Sequence, residues 1–209
     1  MRTVRFAFAL GLLALAGAAE AQRAPFQLTA WGTYTHFSGS TVTDSFGTQV
    51  DFRDSFRPGV SLDVPLGHLL SAEASAFFLQ SRGALTFRGQ EIASLGSATI
   101  TPLLLLVQLH PAGRGAVDPY VGAGGAYTLF DSFASADLDT LGIGRVSLED
   151  TFSFAACAGV RFALSDAVGL TLDGRYLHLK PDSTADATGV KLELDMRPFL
   201  ASVGLSVRF

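Results

Sequence analysis

Short stretches in which apolar residues alternate with small or polar ones constrain this chain more than any other feature. The last stretch, LASVGLSVRF, places Ala201, Val203, Leu205, Val207 and Phe209 on one side and small or polar residues on the other. Side chains of a β-strand point to opposite faces in turn, so this alternation predicts a strand with one apolar face. The recurrence of the pattern predicts an all-β chain.

Eight such stretches cover approximately 26–37, 56–64, 69–79, 97–110, 119–130, 151–164, 168–180 and 196–209. Most are about as long as the 9–11 residues with which a tilted strand crosses a bilayer. Short connections near 65–68, 111–118 and 165–167 alternate with long polar ones near 38–55, 80–96, 131–150 and 181–195. Because outer-membrane barrels have short periplasmic turns and long outer loops, we predict an eight-stranded antiparallel transmembrane β-barrel.

The composition favours a membrane barrel over a soluble one. The chain is 48% hydrophobic and 16% charged, and after Gln22 no apolar run is longer than that from Leu103 to Val107. A soluble domain usually carries more surface charge, whereas a spanning helix needs about 20 apolar residues. A soluble eight-stranded barrel with its apolar face inward is the alternative. Glycines and charges that share one face, with aromatics near strand ends, favour the membrane.

The first residues predict export. Arg2 and Arg5 precede an apolar run over 6–18, and Ala19-Glu20-Ala21 fits a cleavage site. We therefore predict a signal peptide over 1–21 and one barrel domain over 22–209. The net charge of −4 and the lack of a basic stretch argue against nucleic acid as a partner. With Cys157 as the only cysteine, an intrachain disulfide is impossible.

Four strings carry a resemblance to a known family: ITPLLLLVQLHP (100–111), DPYVGAGGAYTLFD (118–131), LEDTFSFAACAGVRFALSD (148–166) and the tail MRPFLASVGLSVRF. They resemble the OmpW family of small outer-membrane β-barrels, except that Val207 stands in place of the usual Tyr. The resemblance implies a narrow apolar channel for small hydrophobic molecules, without catalytic residues or a cofactor. The terminal strand ending at Phe209 also resembles the signal that the barrel-assembly machinery recognises.

Assigning faces by alternation divides the lumen into two halves. The periplasmic half is predicted to hold a charge cluster of Asp63, Glu73, Arg161, Asp173 and Arg208, with Gln108 and His110 nearby. These charges either satisfy a polar interior or gate the barrel. The outer half is predicted to be an apolar solute path lined by Phe77, Ile100, Leu104, Leu106, Phe130, Leu177, Leu179 and Leu200. A hydrophobic solute stopped by a charged floor would leave sideways, and Pro102, which lacks an N–H, could weaken strand pairing for it.

Two other functions stay open. The string THFSGS places His36 and Ser38 two residues apart, as in some lipid-modifying barrel enzymes, but the sequence pairs no acid with them. We therefore expect no enzymatic activity and, from the scattered histidines, no metal site. A structural or adhesive barrel would act through its outer loops. The expected partners are outer-membrane lipid and lipopolysaccharide. Five outer-loop carboxylates either hydrate the loops or bridge to lipopolysaccharide through divalent ions: Asp44, Asp51, Asp54, Asp137 and Asp139.

Overall fold

A computed structural model describes residues 26–38, 41–42, 48–87, 90–131, 146–185, 191–193 and 196–209, and the side chains of 26–37, 53–80, 99–131, 148–181 and 196–209. Its strands are β1 (Gln27–Ser38), β2 (Thr41–Val42), β3 (Thr48–Phe52), β4 (Ser55–Pro65), β5 (Leu70–Phe77), β6 (Leu79–Phe87), β7 (Gln90–Leu109), β8 (Val117–Phe130), β9 (Val146–Leu148), β10 (Thr151–Ala163), β11 (Val168–His178), β12 (Asp182–Ala185), β13 (Lys191–Glu193) and β14 (Arg197–Arg208). The predicted signal peptide lies outside the described residues.

Eight of these strands close into an antiparallel barrel. The order around it is β1, β4, β5, β7, β8, β10, β11 and β14, and β14 returns to β1. The first and last barrel strands, β1 and β14, pair over their full length, from Gln27 opposite Arg208 to Ser38 opposite Arg197. Such closure leaves no unpaired edge strand. An unpaired edge would be costly in the membrane, because hydrocarbon offers backbone N–H and C=O groups no hydrogen-bond partner. The predicted fold class is confirmed.

The outer connections contain more strand than the sequence pattern indicates. β6 and the first half of β7 continue the barrel strands upward as a long hairpin, and β2 and β3 pair alongside it. A separate three-stranded sheet joins β9, β12 and β13. The polar residues of these segments indicate that they do not face lipid. Strands can still pair outside the membrane, so the same residues do not exclude β-structure. The predicted loops near 38–55, 80–96, 131–150 and 181–195 are therefore partly extended structure.

The described side chains alternate as predicted. Val203 and Leu205 are each about half exposed on the outer wall, while Ser202 and Ser206 are buried inside. Ser202 Oγ lies 2.9 Å from Thr33 Oγ1 across the β1–β14 pair. The inner face is therefore packed and hydrogen-bonded, whereas the outer face presents apolar side chains to lipid. No helix in the described part of the chain could span a membrane.

The glycine-rich string of β8 has a steric reason inside this narrow barrel. A Cβ added at Gly124 would collide with the backbone oxygen of Leu105 and lie 2.9 Å from the Cα of Leu106 on β7. A side chain at this position would push two paired backbones apart. Glycine here lets β8 and β7 approach closely and leaves lumen space for larger neighbours such as Leu104 and Leu106.

Candidate functional site

The outer half of the lumen is a continuous apolar cluster. All eight predicted path residues point inward: seven are at most 1% exposed, and Phe130 packs against them partly buried. Leu79, Met196, Phe37 and Trp31 join the same cluster. These side chains leave almost no surface accessible to water, so they fill this half of the lumen. Their role as a solute path stays a prediction.

Below it lies a central cluster that we define as Glu73, Gln108, Tyr120, Asp173 and Arg175. Arg175 is fully buried and donates through Nε to Asp173 Oδ1 at 2.6 Å and through Nη2 to Glu73 Oε2 at 3.1 Å. Gln108 Nε2 donates to Glu73 Oε2 at 2.8 Å, and the Tyr120 hydroxyl donates to Asp173. These bonds cross the lumen between β5, β7, β8 and β11, so the central cluster closes the barrel with paired charges.

The guanidinium of Arg175 also faces the apolar half. Its Cζ lies 4.9 Å from the ring centroid of Phe77 and 5.2 Å from the ring of Trp31. Aromatic faces attract cations in this arrangement, especially where water is excluded. Arg175 therefore joins the apolar cluster above to the charged floor below.

A second, periplasmic cluster comprises Asp63, His110, Arg114, Asp118 and Arg161. Arg114, in the turn after β7, donates to Asp63 Oδ1 at 2.9 Å and lies 3.3 Å from His110 Nε2. His110 Nδ1 lies 2.8 Å from Asp118 Oδ1, and Arg161 reaches Asp118 Oδ2 at 3.4 Å. A periplasmic turn thus folds back and covers the lower end of the lumen.

The charges predicted to form one cluster are divided between levels of the lumen. Glu73 and Asp173 belong to the central cluster, whereas Asp63 and Arg161 lie one level lower. Arg208 lies partly exposed at the periplasmic rim, in a small crevice that also includes Arg161. The alternation is correct, but it does not give depth, because depth depends on the stagger between strands.

Strand pairing is interrupted in the barrel wall near its outer end. β3 pairs Phe52 with Gly83 on β6, and β4 pairs Gly59 with Phe77 on β5. The segment between Phe52 and Gly59 has one residue more than the segment between Phe77 and Gly83, the imbalance of a β-bulge. At this level lies a cavity of about 280 Å³, which we call the wall window, lined by Arg53, Asp54, Ser55, Phe56, Arg57 and Gln80.

Comparisons with known proteins identify the family. The sequence model of the OmpW family matches residues 33–209. The chain belongs to the OmpW family. Its fold is similar to the crystal structure of the outer membrane protein OprG from Pseudomonas aeruginosa, with a TM-score of 0.75 and 20% identity over 89% of this chain and 96% of that one.

Two further solved structures share the fold of this OmpW-family barrel. The solid-state NMR structure of outer membrane protein AlkL in DMPC bilayers has a TM-score of 0.66 at 20% identity, covering 89% of this chain and 90% of that one. The NMR structure of outer membrane protein W from E. coli has a TM-score of 0.57 at 18% identity, covering 89% and 98%. No curated protein sequence matches significantly. The predicted family and the outer-membrane location are confirmed.

Prolines flank the strand below the wall window of this OmpW-family barrel. Phe78 N–H donates to Pro58 O at 3.1 Å, but Pro58 has no N–H with which to return the bond. The unbroken register from Ala76–Leu103 to Leu79–Ile100 places Pro102 opposite Phe77.

The backbone direction of Pro102 follows from a bond further down β7. His110 N–H donates to Leu69 O at 2.8 Å, and alternate residues of a strand direct their backbone groups to the same neighbour. Pro102 therefore faces Phe77 without an N–H to offer. The backbone at Phe77 and Phe78 therefore misses one N–H donor from each neighbouring strand. It is at this point that β5 ends, at Phe77, and β6 begins, at Leu79.

The structure places an acid, Asp54, beside His36, which the sequence alone did not indicate. His36 Nδ1 lies 3.1 Å from Asp54, and the Tyr34 hydroxyl donates to the same carboxylate. The hydrogen bond from Tyr34, assisted by His36, lowers the pKa of Asp54. The side chain of Ser38 lies outside the described ones, so the predicted His36–Ser38 pair is not tested, and the expectation of no enzymatic activity stays a prediction.

The described residues contain no group of three or more His, Cys, Asp and Glu arranged to hold a metal ion. Asp44, Asp137 and Asp139 lie outside the described residues, and so does the side chain of Asp51. The predicted divalent bridge to lipopolysaccharide is therefore still an expectation.

Sequence reasoning missed Arg175, the most connected residue of the lumen. The signal was present, because Asp173, Arg175 and Leu177 follow one another at two-residue spacing and the two outer members were assigned to the inner face. The wall window was also missed, since a bulge depends on how two strands pair and neither strand encodes it alone.

Proposed function

We propose that this OmpW-family barrel passes small hydrophobic molecules from the cell exterior into the outer membrane. They would enter the apolar outer half of the lumen and leave sideways through the wall window. The observation that carries the proposal is the combination of an apolar upper lumen, a closed charged floor and an interrupted wall beside the apolar half, near the outer end of the barrel.

The apolar cluster gives such a solute a favourable environment. Burial of each methylene group contributes about 0.8 kcal/mol, so long apolar chains gain most. Because Phe77, Leu104 and Leu177 are fully buried at rest, a solute must displace side chains to enter. Affinity should therefore rise with solute length until the space that these side chains can vacate is filled.

The floor favours a sideways route over a straight one. A hydrophobic molecule that continued downward would have to break the bonds of Arg175 to Glu73 and Asp173 and then those of the periplasmic cluster. Removing one partner from a buried ion pair costs about 3–5 kcal/mol. The solute itself offers no hydrogen bonds in return.

The wall window supplies a route with a smaller barrier. Phe77 and Leu79 flank the break on the inner side, and Phe56 lies on the lipid side. Pro58 and Pro102 each remove one donor from the pairing of the strand between them. Local widening therefore breaks fewer hydrogen bonds here than in a regular ladder.

A disulfide that staples the lower edge of the wall window tests the proposal. Pro58 and Phe78 are opposite and both exposed on the outer face, and opposite residues of an antiparallel pair have the Cα separation that a disulfide requires. We would introduce Pro58→Cys and Phe78→Cys in a Cys157→Ser background. Uptake of a series of hydrophobic compounds into cells should fall on oxidation and recover on reduction.

A matched staple elsewhere provides the control. Ala30 and Leu205 are opposite residues of β1 and β14, also on the outer face and away from the wall window. The pair Ala30→Cys and Leu205→Cys should leave uptake unchanged whether oxidised or reduced. If both staples reduce uptake equally, or neither does, the sideways route is wrong.

The C-terminal strand carries a separate proposal about assembly. Phe209 N–H donates to Phe26 O at 3.0 Å, and Phe26 N–H donates to Phe209 O at 2.9 Å. Phe209 therefore completes the pairing of the first and last strands at their periplasmic end. We propose that the barrel-assembly machinery recognises this strand. Removing Phe209 should lower the amount of folded barrel in the outer membrane, measured by the heat-dependent shift of folded barrels on gels.

A further inference from the structure

A guanidinium group lies on the inner face of the barrel, above the apolar half of the lumen. Arg57 pairs with Thr33, whose buried hydroxyl lies 2.9 Å from Ser202 Oγ inside the barrel, so Arg57 shares that inner face. The next inner position down β4 is Gly59, about 6.7 Å along the strand. A Cβ added at Gly59 would lie 2.5 Å from Phe77 Cδ1, so the ring of Phe77 covers this glycine. The charge therefore lies one inner position above the predicted solute path.

This guanidinium has no partner of its own. Among the residues that the structure describes, none forms a hydrogen bond or ion pair with Arg57, which is exposed at the outer end of β4. Asp54, which precedes β4, is held on the outer face by Tyr34 and His36. The other acidic residue nearby in sequence, Asp63, belongs to the periplasmic cluster. An unpaired cation at the entrance of an apolar lumen suits an anionic group on an incoming solute.

Two hydroxyl groups next to Arg57 are also unpaired. Thr35 and Ser55 are opposite residues of β1 and β4, and they lie one inner position above Arg57. Thr35 is fully buried, and in the described part of the chain neither hydroxyl oxygen has a hydrogen-bond partner. Because buried polar groups are nearly always hydrogen-bonded, such a pair requires an explanation. Two hydroxyls beside a guanidinium form a set of donors for a carboxylate.

We propose that the barrel prefers hydrophobic molecules that carry one carboxylate, as fatty acids of medium chain length do. Arg57, Thr35 and Ser55 hold the carboxylate, and the chain enters the lumen past Phe77. The inference rests on the proposed function, because the chain uses the same apolar path. A guanidinium forms two parallel, charge-assisted hydrogen bonds to a carboxylate, and an ester of the same chain lacks the charge. The hydroxyls become accessible as apolar side chains move aside for the chain.

Uptake of decanoate and of its methyl ester by cells that produce the full-length barrel tests this preference. The assay is run at neutral pH, where the acid is ionised, and uptake by cells without the barrel is subtracted. The measured quantity is the ratio of the two half-saturation concentrations. Arg57→Gln should lower the preference for decanoate over the ester about tenfold, since it removes the charge-assisted bonds. Thr35→Val should lower it about two- to threefold, since it removes one neutral donor.

Charge reversal provides a result that a merely structural role would not produce. Arg57→Glu should invert the preference, so that decylamine, which is cationic at neutral pH, is taken up more readily than decanoate. Lys180, exposed just beyond β11, provides the matched control, because Lys180→Gln removes the same charge from another strand. This control should keep the wild-type ratio. The gel mobility shift of each variant checks that the barrel is folded.

The outcomes separate this inference from the function on which it rests. If uptake of the methyl ester does not depend on the barrel, the proposed function fails. If ester uptake depends on the barrel but Arg57→Gln leaves the ratio unchanged, only the preference for a carboxylate is refuted. Equal losses in Arg57→Gln and Lys180→Gln would also overturn it, because they would show general attraction by the surface charge.

Discussion

Removal of the Arg175 side chain should be the most damaging single change in the lumen. In Arg175→Met, Glu73 and Asp173 remain buried on facing strands without their shared cation. Arg175 makes hydrogen bonds to both carboxylates and to Ser75 Oγ, the last at 3.0 Å. Hydrogen bonds to charged groups contribute about 1.5–3 kcal/mol each, but burial of the guanidinium offsets much of that sum. We expect a net loss of about 3–5 kcal/mol in the free energy of unfolding.

Equilibrium urea unfolding in lipid vesicles measures this loss. Trp31 is the single tryptophan and lies beside Arg175, so its fluorescence reports the lumen. Gel mobility provides a second probe that does not depend on the local environment of Trp31. Coincident transitions with an unchanged slope would show that only stability differs.

A compensating variant distinguishes lost charge pairing from lost packing. Adding Glu73→Gln and Asp173→Asn to Arg175→Met removes the unpaired charges and keeps similar shapes. It should recover at least about 2 kcal/mol, because burying a neutral amide costs much less than burying a carboxylate. A loss below about 1 kcal/mol in the single variant, or no recovery in the triple variant, would refute the reasoning about the central cluster.

Three further changes test the wall and the floor. Leu205→Arg on the lipid face should cost about 2–4 kcal/mol of folding free energy, whereas Val207→Arg, nearer the interface, should cost about 0–1 kcal/mol in the same unfolding assay. Gly124→Ala should cost about 1–3 kcal/mol by overpacking against β7, while Gly115→Ala, whose Cβ meets only Val117 O at 3.9 Å, should be neutral. Arg114→Ala should raise small-ion conductance in planar bilayers, since Arg114 covers the lumen beside Asp63; unchanged conductance would mean that the central cluster alone seals it.

Alternation was enough to predict the barrel because one physical rule governs every strand. A strand between lipid and lumen must place apolar residues on one side, so Val203 and Leu205 could be assigned outward and Ser202 and Ser206 inward without coordinates. The same rule placed all eight path residues on the inner face. The rule assigns each side chain to the inner or the outer face, and the sequence of its own strand is enough for that assignment.

Depth and pairing are not local, and there the sequence was insufficient. Asp63 and Asp173 share the inner face, yet different arginines bind them because the strands are staggered around the barrel. The wall window depends on one extra residue between two ladders, which no single strand reveals. Arg114 lies in a turn, where no periodicity indicates that its side chain folds back under the lumen.

Photo-crosslinking with an acyl probe that carries a diazirine at its tail tests the proposed path most directly. The probe would be added to the barrel in bilayers, and adducts that an unlabelled hydrophobic solute displaces would be mapped by mass spectrometry. The account predicts displaceable adducts on Phe77, Leu79 and Phe56, in line with entry from above and exit through the wall window. Displaceable adducts on Asp118 and Arg161 in the periplasmic cluster would contradict it, because they would show a straight route through the floor.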